Sequence, residues 1–574
     1  MAIFSSLGAW VTIGLGNLGL SLTAAVAVGG AVTNIAIGAA LLGAQSLFSA
    51  VTSGPRSSTS TPQAQATVNQ STGPRIRGYG RAKLGGTRAF WDSKNGILYQ
   101  LIMGHHGKID GYETFYVGDT NAFLGEGGVA INEPLAGRVY IEGFNGDEDQ
   151  VASSSMMASW PAIWTSDHRL RGIAYWRVEF HSPPSEQFQG VFPEGYNTPV
   201  RVIARLSQVY DPRTEVTAWS DNAALCILDY LTHQDGYNRS IDDIDIQSFA
   251  DFADVCDEPV PLSTGGTEPR YRIWGVYSLT DDPQEVLGKM RAACDAEFYQ
   301  TAEGKIAIRG GAWTPPTVTI RDRDIIGHSM EQGNNRFSAF NELKILYTSA
   351  THDYQTMEAS AWSNLDDQEE RGVLSASLSL DMVPSAQQAR RLAKIHIAKA
   401  NPEWKGTVVA NLSALNALGE RTVRLVLPEL GIDDAFFVAG FSIRPDLTGV
   451  ELSIMSINEA SYTWTIEEEG QAAPVPEDTS PDLSYPVPTI TSLTESDDII
   501  TVTVADPGRP DLELHAQIRA GAGSLWQDMQ PDGLTAEFGP VSPPSPVTYL
   551  VRTRWRGALN AAGDWSTVAE IELG

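Results

Sequence analysis

Residues 200–238 read VRVIARLSQVYDPRTEVTAWSDNAALCILDYLTHQDGYN, and within this stretch the chain changes character. Its first part alternates apolar and polar side chains, the period of a half-buried strand. A Pro-containing turn follows. Ser220, Asp221 and Asn222 then offer N-cap oxygens, Leu225, Leu228 and Leu231 recur at helical spacing, and Gly236 supplies a C-terminal stop. A β-rich block therefore ends here and an α/β block begins.

Upstream, 78–215 holds short alternating runs (GILYQLIMG, ETFYVGD, GRVYIEGF, IAYWRVEF) separated by glycine-containing turns, so a mostly antiparallel β-domain is expected. Downstream, IQSFADFADVCDE predicts a second helix with Ser248 as N-cap and Asp251 three residues on, a capping-box arrangement. A third helix opens at Asp282-Pro283, with proline at its first position, and stacks Val286, Leu287, Met290 and Ala293 on one side. The hairpin AEFYQTAEGKIAIRGG completes an α/β region over 216–311.

Residues 312–470 return to strands, interrupted by one helix that Ser385 caps and that stops before Asn401-Pro402. Its Arg390, Arg391, Lys394 and Lys399 make the longest positive stripe in the chain. Such a stripe either neutralises nearby carboxylates or serves as a docking face for an acidic neighbour in an assembly. The segment 471–488 is a stiff Pro-rich linker, and 489–574 shows about seven short strands, the pattern of an immunoglobulin-like sandwich. It lacks the Cys–Trp–Cys spacing of antibody domains, which favours the fibronectin type III branch.

The opposite end is unlike the rest. No ionisable side chain precedes Arg56. Residues 1–55 are apolar, rich in Ala, Gly, Ser and Thr, and long enough for two spans of ~20 residues each. Ala25, Gly29 and Thr33, and separately Ala36 and Ala40, recur at four-residue spacing, which lets helix backbones approach closely. A helical, self-associating segment is expected there, held in an assembly lumen or entering a membrane, and tied to the body by a flexible linker over 56–77.

Seventy acidic against forty basic side chains leave a net charge of −30. A surface of that sign repels nucleic acid, although it suits a conduit through which DNA slides. Cys226, Cys256 and Cys294 lie in helical segments with no CxxC and no histidine at ligand spacing, so they read as small buried apolar residues. Gly14, Gly16 and Gly19 match a dinucleotide-binding pattern, yet no βαβ unit and no acidic residue about twenty positions on accompany them. His105, His106 and Asp110 make a weak metal candidate, and Asp242, Asp243 and Asp245 lack the glycine and closing glutamate of a calcium loop. No catalytic constellation, cofactor or metal site is expected.

The ordered segments VYDPRT, WSDNAA, DYL…GY, IDIQSFADFADVCDEPV and EVLGKMRAACDAEFYQTAEGKIAIRGG resemble the tail tip host-specificity protein J family of siphophages, closely over about 195–311 and more loosely over 78–470. Ala223 stands where that family usually has a proline, a change that the first helical position tolerates. The resemblance implies a mainly β fold with an α/β insertion: two β-barrel-like tail-hub domains flanking a small α/β region, and a fibronectin type III-like sandwich behind them. It implies a homotrimeric baseplate hub in the virion tail tip, assembled in the host cytoplasm. Such a hub contacts a distal tail protein ring, the tape-measure protein and other tail tip or fibre proteins, and then the host envelope. Genome DNA passes through without specific binding. Because the chain stops after one sandwich, receptor choice is expected to fall to a separate fibre or tip protein. The competing readings are a membrane-anchored surface adhesin and a secreted carbohydrate-active enzyme with a binding sandwich.

Overall fold

The computed structural model describes residue 65 and residues 73–574, apart from 302, 334–338, 446, 475–485, 510–511, 542, 544 and 557–562. The uncharged 1–55 segment, with Ala25, Gly29, Thr33, Ala36 and Ala40, lies outside the described residues, as does most of 56–77.

The chain is mainly β. It divides into two compact units: Pro74–Ala82 with Arg205–Pro476, and Lys83–Ala204 with Glu477–Gly574.

In the first unit the capping signals act largely as the sequence predicts. Of the three candidate caps before Ala223–Thr232, Asn222 is the one used; its Oδ1 accepts from the Ala224 and Leu225 amides. Asp221 is committed elsewhere, taking the Trp274 indole N–H at 2.7 Å. The second helix, Ile246–Asp257, begins before its expected cap. Ser248 therefore sits inside its first turn, where Oγ donates to the Asp245 carbonyl and accepts from the Ile308 amide, stitching the helix to strand Ile306–Gly310. The third helix, Pro283–Ala292, is capped by Asp282. Cys226, Cys256 and Cys294 are all free and buried in this core, and burial pushes each thiol above its ordinary range.

The long helix, Ala386–Ala400, decides how the unit is assembled. Its Ser385 cap accepts from the Gln387 and Gln388 amides. One side lies on a three-stranded sheet in which Glu342–Ser349 is flanked by Gln355–Ser363, antiparallel, and Ser375–Leu380, parallel. The helix's buried residues also share one core with those of the three shorter helices. There Gln388, fully buried, accepts from the Arg272 amide and donates to the Arg272 and Ala293 carbonyls. One core consequently runs from Leu228, Phe249 and Met290 through Leu392 to Leu343, Ile345 and Leu380. The boundary expected at 311/312 does not divide it, because the helix has apolar residues on both sides.

A second core belongs to a six-stranded sheet ordered Val318–Arg321, Thr422–Leu427, Ile432–Ile443, Val450–Ser456, Trp404–Ala410, Ile325–Gln332. All its pairings are antiparallel except the first, between Val318–Arg321 and Thr422–Leu427. Val423, Leu425, Phe436, Val408 and Leu452 fill its buried face.

In the second unit, Thr87–Lys94, Ile97–His106, Ile173–His181 and Val139–Phe144 form a four-stranded antiparallel sheet. Gly104 is required there, since a Cβ would come within 2.2 Å of the Trp176 ring. Residues 490–573 make two four-stranded sheets around Val502, Ile518, Val551 and Trp555, a sandwich.

Candidate assembly surface

The segment after strand Trp404–Ala410 is LSALNAL, and it folds as a 3₁₀-helix over Leu412–Ala417. Asn411 caps it, accepting from the Ser413 amide. With three residues per turn, positions three apart lie one above another. Ala414 and Ala417 accordingly point into the six-stranded core and are 1% exposed. Leu412, Leu415 and Leu418 face away, exposed by 48, 38 and 55%. Ile326, Ile443 and Leu447 are also exposed at this end of the sheet, where Ile443, Val450, Ala410 and Ile325 share a rung. A grouped set of exposed aliphatic side chains marks an interaction surface more often than isolated ones do.

The sheet's two outer strands, Val318–Arg321 and Ile325–Gln332, each pair with one neighbour among the described residues. Residues 326–329 are exposed, and His328 Nε2 lies 2.6 Å from Glu429 Oε1. Strands with a free side are templates for pairing with another chain.

The positive stripe lies inside the fold and is paired with carboxylates. Arg390, Arg391, Lys394 and Lys399 turn inward, and none of the fifteen residues of their helix is exposed. Arg390 donates to the Ser360, Ala361 and Glu468 carbonyls and lies over the Trp362 ring. Arg391 pairs with Glu268 at 2.8 Å, and Lys394 with Glu468 at 2.6 Å. Lys399 donates to Asp295 at 2.7 Å and Glu297 at 3.2 Å. Acidic residues far away in sequence thus meet the helix inside the fold, because charges are buried only when paired.

Asp295 is the centre of a buried network. Arg421 donates to its second oxygen at 2.6 Å, and Tyr462 OH lies 3.4 Å away. Burial alone would push the carboxyl up, but Lys399 and Arg421 more than reverse this and hold it below its ordinary range. Burial likewise pushes the Lys399 ammonium down, while Asp295 and Glu297 bring it above its ordinary value. Asp295, Lys399 and Arg421 stay charged across neutral pH, and the network ties the hairpin of 296–310 to the long helix and the six-stranded sheet.

His396, one turn before Lys399, packs beside Phe340. Burial, then the Lys399 charge, lowers its pKa to about 4, with Asp295 opposing. The unfolded chain, with histidine near its ordinary value of about 6.5, then takes the proton first as pH falls. Stability is accordingly expected to decline by about 2–3 kcal/mol between pH ~6.5 and ~4. Urea unfolding followed by tryptophan fluorescence across that range checks this, and His396→Gln should flatten the dependence. A wild-type midpoint that does not move would contradict it.

Among the described residues, no group of three or more histidine, cysteine or acidic side chains converges as a metal site. His105 Nδ1 instead lies 3.2 Å from the Gly107 carbonyl, and Asp242 and Asp243 occupy a short 3₁₀ turn capped by Ser240.

No family model matches the chain, and no curated protein matches it. Among solved structures it is similar to a chain from the virion of the native gene transfer agent (GTA) particle, with a TM-score of 0.53 and 14% identity over 77% of this chain and 98% of that one. The 43 kDa tail protein of prophage MuSo2 from Shewanella oneidensis also matches, with a TM-score of 0.25 and 12% identity over 67% of this chain and 94% of that one. The first likeness is one of fold; the second is too loose to argue from.

Proposed function

We propose that the chain is a structural, non-enzymatic component of a phage-type tail tip: a homotrimeric central baseplate hub that continues the tail tube, closes it before infection and forms part of the DNA-ejection channel. The observation that supports this most is the fold likeness to a GTA virion chain, which covers nearly all of that chain. The ordered motifs of 195–311 point the same way independently. In this reading, the distal tail protein ring, the tape-measure protein and tail fibre proteins are its neighbours. The uncharged segment with Ala25, Gly29, Thr33, Ala36 and Ala40 occupies the lumen or enters the host membrane, and 489–574 is a fibronectin type III-like module.

The exposed ridge and the open sheet edges offer the contact surfaces that such an assembly needs. A net charge of −30 on each copy keeps the channel wall from holding passing DNA, through like-charge repulsion.

The test is the native mass of the full-length chain in mild detergent, with imaging of the particles. A species of three times 62.0 kDa forming a threefold ring around an open channel is expected. A monomer that the distal tail ring also fails to assemble would sink the reading. Leu415→Glu combined with Leu418→Glu should leave folding within about 0.5 kcal/mol, since both side chains are exposed, while breaking the trimer. An unchanged trimer would remove the ridge from the contact.

A further inference from the structure

Residues 489–574 contain twelve acidic and five basic side chains, and all five basic ones are arginine. Four of the five lie on one face of one sheet. Strand Val547–Arg556 ends VRTRWR, and because strand side chains alternate, Arg552, Arg554 and Arg556 point away from the core that Val551, Thr553 and Trp555 enter. Arg519 projects from the neighbouring strand, Glu513–Ala520. Two tryptophans interleave with these guanidinium groups. Arg519 and Arg552 lie 4.4 and 4.2 Å from the Trp526 ring centre; Arg552 and Arg554 lie 4.1 and 4.4 Å from that of Trp565. The result is a continuous stack in the order Arg519, Trp526, Arg552, Trp565, Arg554, every member of it half-buried.

We infer that this stacked arginine face is a binding site for a carboxylated polysaccharide. A guanidinium stacked on an indole keeps its N–H groups in the ring plane, directed past the stack, and that fork matches a carboxylate. Partners inside the chain use few of these donors. Arg552 bonds Gln517 Oε1, and Arg554 Nε donates to His515 Nδ1 at 2.9 Å. Arg519 Nε has no hydrogen-bond partner among the described residues. Burial and the adjacent arginines Arg556 and Arg554 lower the His515 pKa against the opposing pull of Asp528, so His515 adds no charge near neutral pH.

Asp528 is 2.9 Å from His515, Glu513 stands opposite Arg556, and Glu570 and Glu572 stand opposite Leu550 and Thr548 at the margin of the same face. Glu186 also acts on Arg554. These acids disfavour a polyanion as dense as nucleic acid. Each indole already has two arginine side chains within 4.4 Å of its ring centre, and Trp565 also has the His515 ring at 5.1 Å, which crowds the base-stacking platform on which single-stranded nucleic acid binding depends. A polymer with one carboxylate per sugar or fewer meets both conditions.

The test uses the full-length chain in mild non-ionic detergent, with immobilised polygalacturonate, neutral dextran, poly-glutamate and a single-stranded oligonucleotide as probes. Polygalacturonate should bind, and about 500 mM salt should release it, since contacts at a half-exposed face are screened. Arg519→Gln should weaken binding about tenfold, the value of a charge-assisted hydrogen bond, with an unchanged thermal transition. Arg509→Gln, outside the stack, should have no effect. If Arg519→Gln unfolds the domain, Arg556→Gln takes its place. Absent binding, equal binding to dextran, equal loss in the Arg509 variant, or an undiminished Arg519 variant would each overturn the inference. Tighter binding to poly-glutamate or to the oligonucleotide would overturn it in favour of an acidic protein or a nucleic acid.

Discussion

Replacing Asp295 by asparagine is expected to cost about 3–5 kcal/mol of folding stability, the usual consequence of removing one member of a buried charge group. The exchange is close to isosteric. Asp295 has a positive φ of 52°, which asparagine also tolerates, so backbone strain does not confuse the result. What is lost is charge: Lys399 and Arg421, at 2.7 and 2.6 Å, would keep Glu297, at 3.2 and 3.6 Å, as their acidic partner. Because the Asp295 carboxyl is held below its ordinary range, its contribution is complete above the unfolded pKa of about 3.9 and disappears only as pH falls below it. The deficit of Asp295→Asn should therefore be constant from pH 5 to 8 and shrink in strong acid. Urea unfolding at pH 7 measures it directly. A loss below about 1 kcal/mol would mean that the network is solvated and behaves as a surface pair.

The second large effect is expected at Arg391. Its side chain is 2% exposed and pairs with Glu268, itself 9% exposed. Glu268 also accepts from Ser385 Oγ, so a carboxylate lies beside the start of the long helix, where the helix dipole favours negative charge. Arg391 further donates to the Arg270 carbonyl, but its Nε has no hydrogen-bond partner among the described residues, and burial holds its pKa below the ordinary value. Arg391→Met should cost about 3–5 kcal/mol, since the buried Glu268 would keep only Arg272, at 3.5 Å, as a cationic partner. Adding Glu268→Leu should restore more than half of that loss, since removing both charges removes both desolvation costs. A double variant no better than the single one would show that Arg391 acts through packing of its stem rather than through its charge.

These two sites show where sequence reading succeeds and where it stops. Capping is local chemistry within a few residues, so Asp282, Ser385 and a cap among Ser220, Asp221 and Asn222 can be placed on helix starts from their neighbours alone, the choice of Asn222 coming from the structure. Ser248 is not the cap that its neighbours suggest, because the same residue type satisfies a cap or, inside the first turn, a carbonyl and a distant strand amide. The three cysteines were legible as buried because nothing at ligand spacing accompanied them.

The exposed leucine ridge is not legible along the chain. LSALNAL reads as an ordinary apolar run, and only a three-residue turn separates its alanines from its leucines. The arginine face was half visible. VRTRWR shows an alternating arginine row on a strand, whereas Trp526 and Trp565, which complete the stack, come from other segments.

By itself, then, the amino-acid sequence determined what depends on near neighbours: alternation for strands, caps for helix starts, buried thiols, a net charge of −30 and an uncharged first 55 residues. The tertiary structure decided what those charges and faces do. Arg390, Arg391, Lys394 and Lys399 look like a solvated stripe along the chain, yet Glu268, Asp295, Glu297 and Glu468 approach them from positions about 70 to 125 residues away and turn the stripe into the interior of a domain. Spacing along a helix specifies which side chains share a face, but whether that face meets water or carboxylates is set by chain segments that only folding brings together.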